Sequence, residues 1–145
     1  MIKRLIAIGG GEIKNKTTLE IDKYVGMLAK EHAGEKRANA LFIGTASHDS
    51  MPYFNSFRKT YTSVFDIKAE VGLMVYGEMS VEKIADKIAK ADCIYIGGGD
   101  TVYMLDVFKS VFNSISAKKQ EKCAAIFSYL YYQIVEAVKD RENSH

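Results

Sequence analysis

The sequence predicts an α/β domain: a parallel sheet with helices packed on both of its faces. Three observations lead there. Short apolar runs alternate with stretches of helical periodicity, and three of those runs end in glycine-rich or small polar turns. Breakers are also unevenly spread: all eleven glycines lie at or before Gly99, and the single proline is Pro52. Residues 100–145 hold neither, and read as helix, or helix plus one strand.

The elements follow in order along the chain. Leu5 to Ile8 is an apolar run meeting Gly9-Gly10-Gly11, expected as a buried first strand with a tight turn. Thr17 or Thr18 can cap a helix whose apolar residues Ile21, Tyr24, Val25 and Leu28 recur at helical spacing, with Gly34 beyond its end. Ala40 to Ile43 is a second strand, closed by Gly44-Thr45-Ala46-Ser47. Pro52 suits the first turn of a helix running through Phe54, Phe57 and Tyr61. Ile67 to Tyr76 alternates loosely and gives a third strand. Ser80 can cap the next helix, with Glu82 in its first turn and Val81, Ile84, Ala85 and Ile88 facing inward. Cys93 to Ile96 is a fourth strand, ending in Gly97-Gly98-Gly99-Asp100-Thr101. A helix starts there, with Val102, Leu105, Phe108, Val111 or Phe112, and Ile115 on one face.

Composition excludes several functions. A chain of 145 residues fits one domain, and its charge of 20 − 18 = +2 leaves no electrostatic footprint for nucleic acid. Apolar runs stop far short of the roughly twenty residues of a membrane span. The start has basic residues but neither an h-region nor a cleavage site. Cys93 and Cys123 are isolated, which suits a reducing compartment, so a cytoplasmic protein is expected. No three residues have zinc-site spacing. Gly9-Gly10-Gly11 lacks the further glycine of a dinucleotide fingerprint, and no phosphate-loop motif occurs. Neither a metal nor another cofactor is expected.

In parallel sheets ligands bind beyond the carboxyl ends of the strands. Three of the four expected strands end in candidate loops there. Gly97, Gly98, Gly99, Asp100 and Thr101 join a strand to a helix, where glycine amides can approach an anion or a developing oxyanion. The same run is read more simply as a tight turn with Asp100 or Thr101 as N-cap. Thr45, Ser47, His48 and Asp49 gather hydroxyls, an imidazole and a carboxylate in one loop. Such residues more often cap the next helix than form a working triad. Gly9, Gly10 and Gly11 complete the rim. His32 lies near a helix end and is expected at the surface; His145 is terminal.

Three segments also carry a resemblance: Ile8-Gly9-Gly10-Gly11-Glu12-Ile13, Phe42-Ile43-Gly44-Thr45-Ala46-Ser47, and Ala91 through Thr101. At their spacings they resemble peptidase family S51, the dipeptidase E and cyanophycinase group of serine hydrolases. The strand-GGG-[DN]-T-helix run is the most specific of the three. The resemblance covers roughly residues 1–112 and implies a class I glutamine-amidotransferase-like, flavodoxin-like fold. It implies cleavage of dipeptides with an N-terminal aspartate, with Gly99 giving a backbone N–H to the oxyanion hole.

The family pattern continues into a strand and a G-x-S-A-G nucleophile elbow, then a histidine and an acidic partner. An elbow needs small neighbours because its serine sits on a strained turn. Here no glycine follows Gly99. Ser128 is the nearest candidate nucleophile, yet it stands between Phe127 and Tyr129; Ser116 comes too early and precedes Lys118-Lys119. A truncated, inactive S51 homologue is therefore expected. An active peptidase completed through Ser128 or a partner subunit, and a module binding a small peptide or anion, are the alternatives.

Residues 113–145 need their own account within a single domain of residues 1–145. Cys123, Phe127, Leu130, Ile134 and Val138 recur at four and three, with Ile126, Tyr131 and Val135 widening the stripe. The expectation is a divergent helical segment, although residues 124–132 are also rich in β-formers. Its apolar face would complete the core, cover a sheet edge, or support a homodimer through residues 113–140.

Overall fold

A computed structural model describes residues 4–75 and 79–117, together with 124, 125, 128, 129, 131–136 and 139. Its elements are α1 (Leu19–Ala33), β1 (Asn39–Ile43), a short 3-10 turn (Thr45–Ser47), α2 (Met51–Arg58), a π-helical stretch (Lys59–Val64), β2 (Lys68–Gly72), α3 (Val81–Lys90), β3 (Cys93–Ile96) and α4 (Thr101–Ala117). The three strands form one parallel sheet in the order β2-β1-β3.

Alternation along β1 builds both halves of the core. Leu41 and Ile43 point to one face and meet Ile84, Ala85 and Ile88 of α3 and Met104, Phe108 and Ile115 of α4. Ala40 and Phe42 point to the other, among Ala29 of α1, Phe54 and Phe57 of α2, and Tyr61. Helices thus cover both faces, as the alternating pattern requires. The fold is α/β and flavodoxin-like.

Local signals explain most boundaries. Gly34 takes φ 66° past the end of α1 and its N–H returns to the Lys30 carbonyl. Ser50 and Ser80 cap α2 and α3 by accepting from the backbone N–H of Tyr53 and Lys83. Asp100 Oδ1 accepts from Tyr103 N at 3.0 Å and starts α4.

Three expectations are corrected. Leu5 to Ile8 forms no strand: Leu5 is 48% and Ile6 36% exposed. An apolar run states that residues can be buried, whereas a strand also needs a pairing partner, and these residues pair with none of β1, β2 and β3. The third strand stops at Gly72 because its register against β1 runs out at Ile43; Tyr76 lies outside the described residues. On α4 the Asp100 cap sets the rotation, so Val102 is 73% exposed and the buried stripe runs through Met104, Phe108 and Ile115.

In the carboxyl-terminal segment the described residues 124, 125, 128, 129, 131–136 and 139 are helical. Ala124, Tyr131 and Ile134 pack on the core formed by α3 and α4. Core completion, one of the three uses expected for this face, is what Ala124, Tyr131 and Ile134 do. Cys123, Ile126, Phe127, Leu130 and Val138 lie outside the described residues.

One buried polar thread crosses the aromatic half. Asp22, 1% exposed, accepts from Thr18 Oγ1 at 2.7 Å and from Tyr61 Oη at 2.9 Å. Burial, reinforced by the Asp22 carboxylate, pushes the Tyr61 hydroxyl far above the ordinary tyrosine range. Tyr61 is therefore a fixed donor. Tyr61→Phe removes one of the carboxylate's two donors and should cost about 1–3 kcal/mol, read by urea denaturation.

Cys93 in β3 packs against the same half, and burial followed by the nearby Asp92 pushes its thiol up to about 12. The unfolded chain's thiol titrates near ~8.5, so between there and about 12 the unfolded state binds fewer protons. Stability from this group is complete below that window and declines as pH rises through it. In a Cys123→Ser chain, alkylation of Cys93 at pH 8 should follow unfolding, and be slow without denaturant.

Candidate functional site

The candidate site lies at the carboxyl ends of β1 and β3, which are neighbours in the sheet. Gly97 N donates to Ile43 O at 3.0 Å, extending the pairing by one residue. Beyond it the loops interlock: Asp100 N donates to Ala46 O at 2.8 Å. Gly99, at φ 145°, lies so close to this carbonyl that a Cβ would stand 2.2 Å from its oxygen. Only glycine meets both conditions. Gly97 is tight for a different reason, since a Cβ there would sit 3.1 Å from the Tyr53 ring.

This interlock uses two of the loop's amides and leaves two others exposed. Among the described residues the N–H groups of Gly98 and Gly99 donate to nothing. They sit just before the N-terminus of α4, whose dipole favours negative charge.

The other loop divides its polar residues between structure and surface. Thr45 is fully buried, which removes it from the accessible rim. Ser47 Oγ donates to Gly44 O at 3.0 Å, a local turn bond. Asp49 is 7% exposed, and its Oδ2 accepts from Val75 N at 2.8 Å, tying the loop to the segment after β2. His48 alone projects outward. Its ring lies on Tyr103 of α4 with centroids 4.3 Å apart. His48 and Asp49 both hold left-handed backbone, at φ 54° and 57°.

The first glycine run stays apart. Gly9 and Gly10 are exposed with nothing close to them, and Gly11 packs on Thr17 and Thr18. Glu12 N donates to Thr17 Oγ1 at 2.7 Å, closing that turn on itself. With no strand before it, the run is not a strand-end loop. Thr101 is half-buried at the start of α4, and Ser128 is half-buried within helical residues rather than on a strand-to-helix turn.

Three neighbours of the site were missed in the sequence. Tyr53 and Tyr95 share a hydrogen bond beneath Gly97, and Tyr103 is the platform for His48. Tyr103 could have been found by its place three residues after the capping Asp100. His32 is at the other end of the sheet, its Nδ1 2.7 Å from Asp92 Oδ1. Among the described residues no group of three His, Cys, Asp or Glu side chains could hold a metal ion. No described helix is long and apolar enough to cross a membrane.

A family model decides the kinship. The model of peptidase family S51 matches residues 5–116, which include both interlocked loops and all three strands. The chain belongs to peptidase family S51. An uncharacterized peptidase of Bacillus subtilis (strain 168), YgaJ, is 26% identical over 109 residues, which is 74% of this chain and 44% of YgaJ. The chain thus matches less than half the length of that relative. No solved structure matches it.

Proposed function

We propose that residues 1–145 form one cytoplasmic domain carrying the oxyanion side of an S51 hydrolase site, and that this chain by itself does not cleave peptides. The exposed amides of Gly98 and Gly99, with no partner among the described residues, carry the reading. They are donors at the position where the family resemblance expects an oxyanion to be held. The ligand it implies is a dipeptide with an N-terminal aspartate.

Among the described residues no hydroxyl beside these donors is free to form an acyl-enzyme: the Ser47 hydroxyl bonds its own loop and Thr45 is buried. Ser128 is helical and stands between two bulky residues in the sequence. No G-x-S-x-G occurs in the 145 residues. A serine hydrolase lacking its nucleophile keeps a residual rate of about 10³-fold over water through binding and oxyanion contacts. The expected activity is that residual or less.

Intact mass after incubation with a fluorophosphonate, beside an aspartyl-dipeptide hydrolysis assay, tests this directly. Neither adduct nor turnover is the expected result. A stoichiometric adduct accompanied by turnover overturns it, and peptide mapping then tests Ser128 first. The same unpartnered amides favour a second reading, a module that binds a small peptide or anion. A ligand-induced rise in melting temperature without hydrolysis supports that reading.

A further inference from the structure

We infer that the cavity at the amino-terminal end of the sheet, where α1 and α3 finish, binds the phosphate of a small, polar phosphomonoester such as a sugar phosphate. This is a second site, at the opposite end of the strands from the glycine loops, and it does not rest on the peptidase reading.

The cavity has a volume of about 430 Å³, and its lining includes His32, Lys36, Arg37, Asn39, Lys90 and Asp92. Four of these six side chains can carry positive charge. They come from separate parts of the chain: the end of α1 with the loop after it, and the last residue of α3. Basic residues in the last turn of a helix need no ligand, because they complement the dipole. His32 and Lys90 satisfy that description. Lys36 and Arg37 lie beyond α1, so the dipole does not account for them.

His32 is held in place rather than merely exposed. Asp92, whose side chain is 15% exposed, is the one carboxylate in the lining, and both of its oxygens are engaged. Oδ2 accepts from Asn39 N at 2.8 Å, and Oδ1 lies 2.7 Å from His32 Nδ1. Asp92 N in turn donates to Asn39 O at 2.8 Å, which ties the carboxylate to the first residue of β1. Among the described residues His32 Nε2 and Lys36 Nζ have no partner. Arg37 and Lys90 bond Asp66 and Asp86 at 3.2 and 2.9 Å, with every one of these side chains more than half exposed. Exposed pairs of this kind are weak, so both cations can turn to a more highly charged anion.

A phosphate group matches this donor set. Its oxygens take hydrogen bonds from several directions, and a guanidinium fork with ammonium groups is the usual means of supplying them. The volume falls within the roughly 300–1,000 Å³ of small-molecule sites, which leaves room for an organic group beside the phosphate. Ala33 is the one apolar residue in the lining, so that group is polar.

Nuclear magnetic resonance titration of the isotope-labelled full chain with ribose 5-phosphate, ribose, inorganic phosphate and sodium chloride tests the inference. Ribose 5-phosphate should shift the amides of Lys36, Arg37, Asn39 and Asp92 and leave those of Gly98 and Gly99 in place, whereas ribose should shift none of them. Lys36→Gln and His32→Gln should each weaken binding about tenfold, the loss of one charge-assisted hydrogen bond. Both side chains are exposed, so the variants should keep the wild-type spectrum elsewhere. Unchanged affinity in the two folded variants overturns the site. Equal shifts with sodium chloride at the same ionic strength overturn it as general screening. Inorganic phosphate binding as tightly as ribose 5-phosphate overturns the organic ligand, and shifts confined to Gly98 and Gly99 overturn the location.

Discussion

Gly99→Ala will destabilise the protein by roughly 2–5 kcal/mol, the sum of backbone strain and an overpacked contact. At φ 145° an L side chain is strained before any neighbour is considered, and its Cβ would lie 2.2 Å from the Ala46 oxygen. That atom belongs to the backbone, so it cannot rotate away. The Ala46 carbonyl must move, and with it the bond it accepts from Asp100 N at 2.8 Å. Denaturant unfolding should show the loss, and the Asp100 amide should exchange faster with solvent. Gly98→Ala is the matching control, because nothing lies within 4 Å of a Cβ there. It should change stability by only about 0.5 kcal/mol. Equal effects at the two positions would show that the loops do not interlock as described.

Phe42→Ala should cost about 3–5 kcal/mol, the usual range for removing a fully buried aromatic ring. Phe42 is 1% exposed on the central strand, with ring centroids 5.0 Å from Tyr53, 5.1 Å from Phe57, 5.8 Å from Phe54 and 5.9 Å from Tyr95. The ring also reaches both loops of the site. It lies 2.8 Å from a Cβ position at Gly44 and 3.3 Å from one at Gly97. Its loss should therefore broaden the amide resonances of Gly44 and Gly97 as well as lower stability. A stability loss with both glycine resonances unchanged would mean that the core and the rim are mechanically separate.

Elements whose signals are local were legible in the sequence. Gly34, Pro52, Ser80 and Asp100 mark boundaries within a few residues of themselves, and the structure uses each where expected. Pairing was less legible, because it depends on residues far apart in the chain. Leu5 to Ile8 has the composition of a strand yet pairs with none of β1, β2 and β3. Rotation about a helix axis was also hidden at α4, where the cap turns Val102 outward and Met104 inward. At the site, sequence reasoning found the glycine run and His48 but weighed Thr45 with them, although Thr45 is buried. Hydroxyls, rings and carboxylates in one loop look alike in sequence, and only the fold divides them between interior and surface.

β1 is the only described strand with neighbours on both sides, and its partners come from far along the chain: Ala40 sits opposite Ala69 and also opposite Cys93. Successive amides of β1 point to opposite sides, so each is released when the ladder on its own side separates. Hydrogen exchange along β1 should therefore alternate, one set of amides following the opening of β2 and the other that of β3. The two loops of the site hang from β1 and β3. Because Gly97 N and Asp100 N bond the β1 side, the detachment of β3 also unlocks the two loops from each other, and the rim comes apart with that ladder rather than with the whole fold.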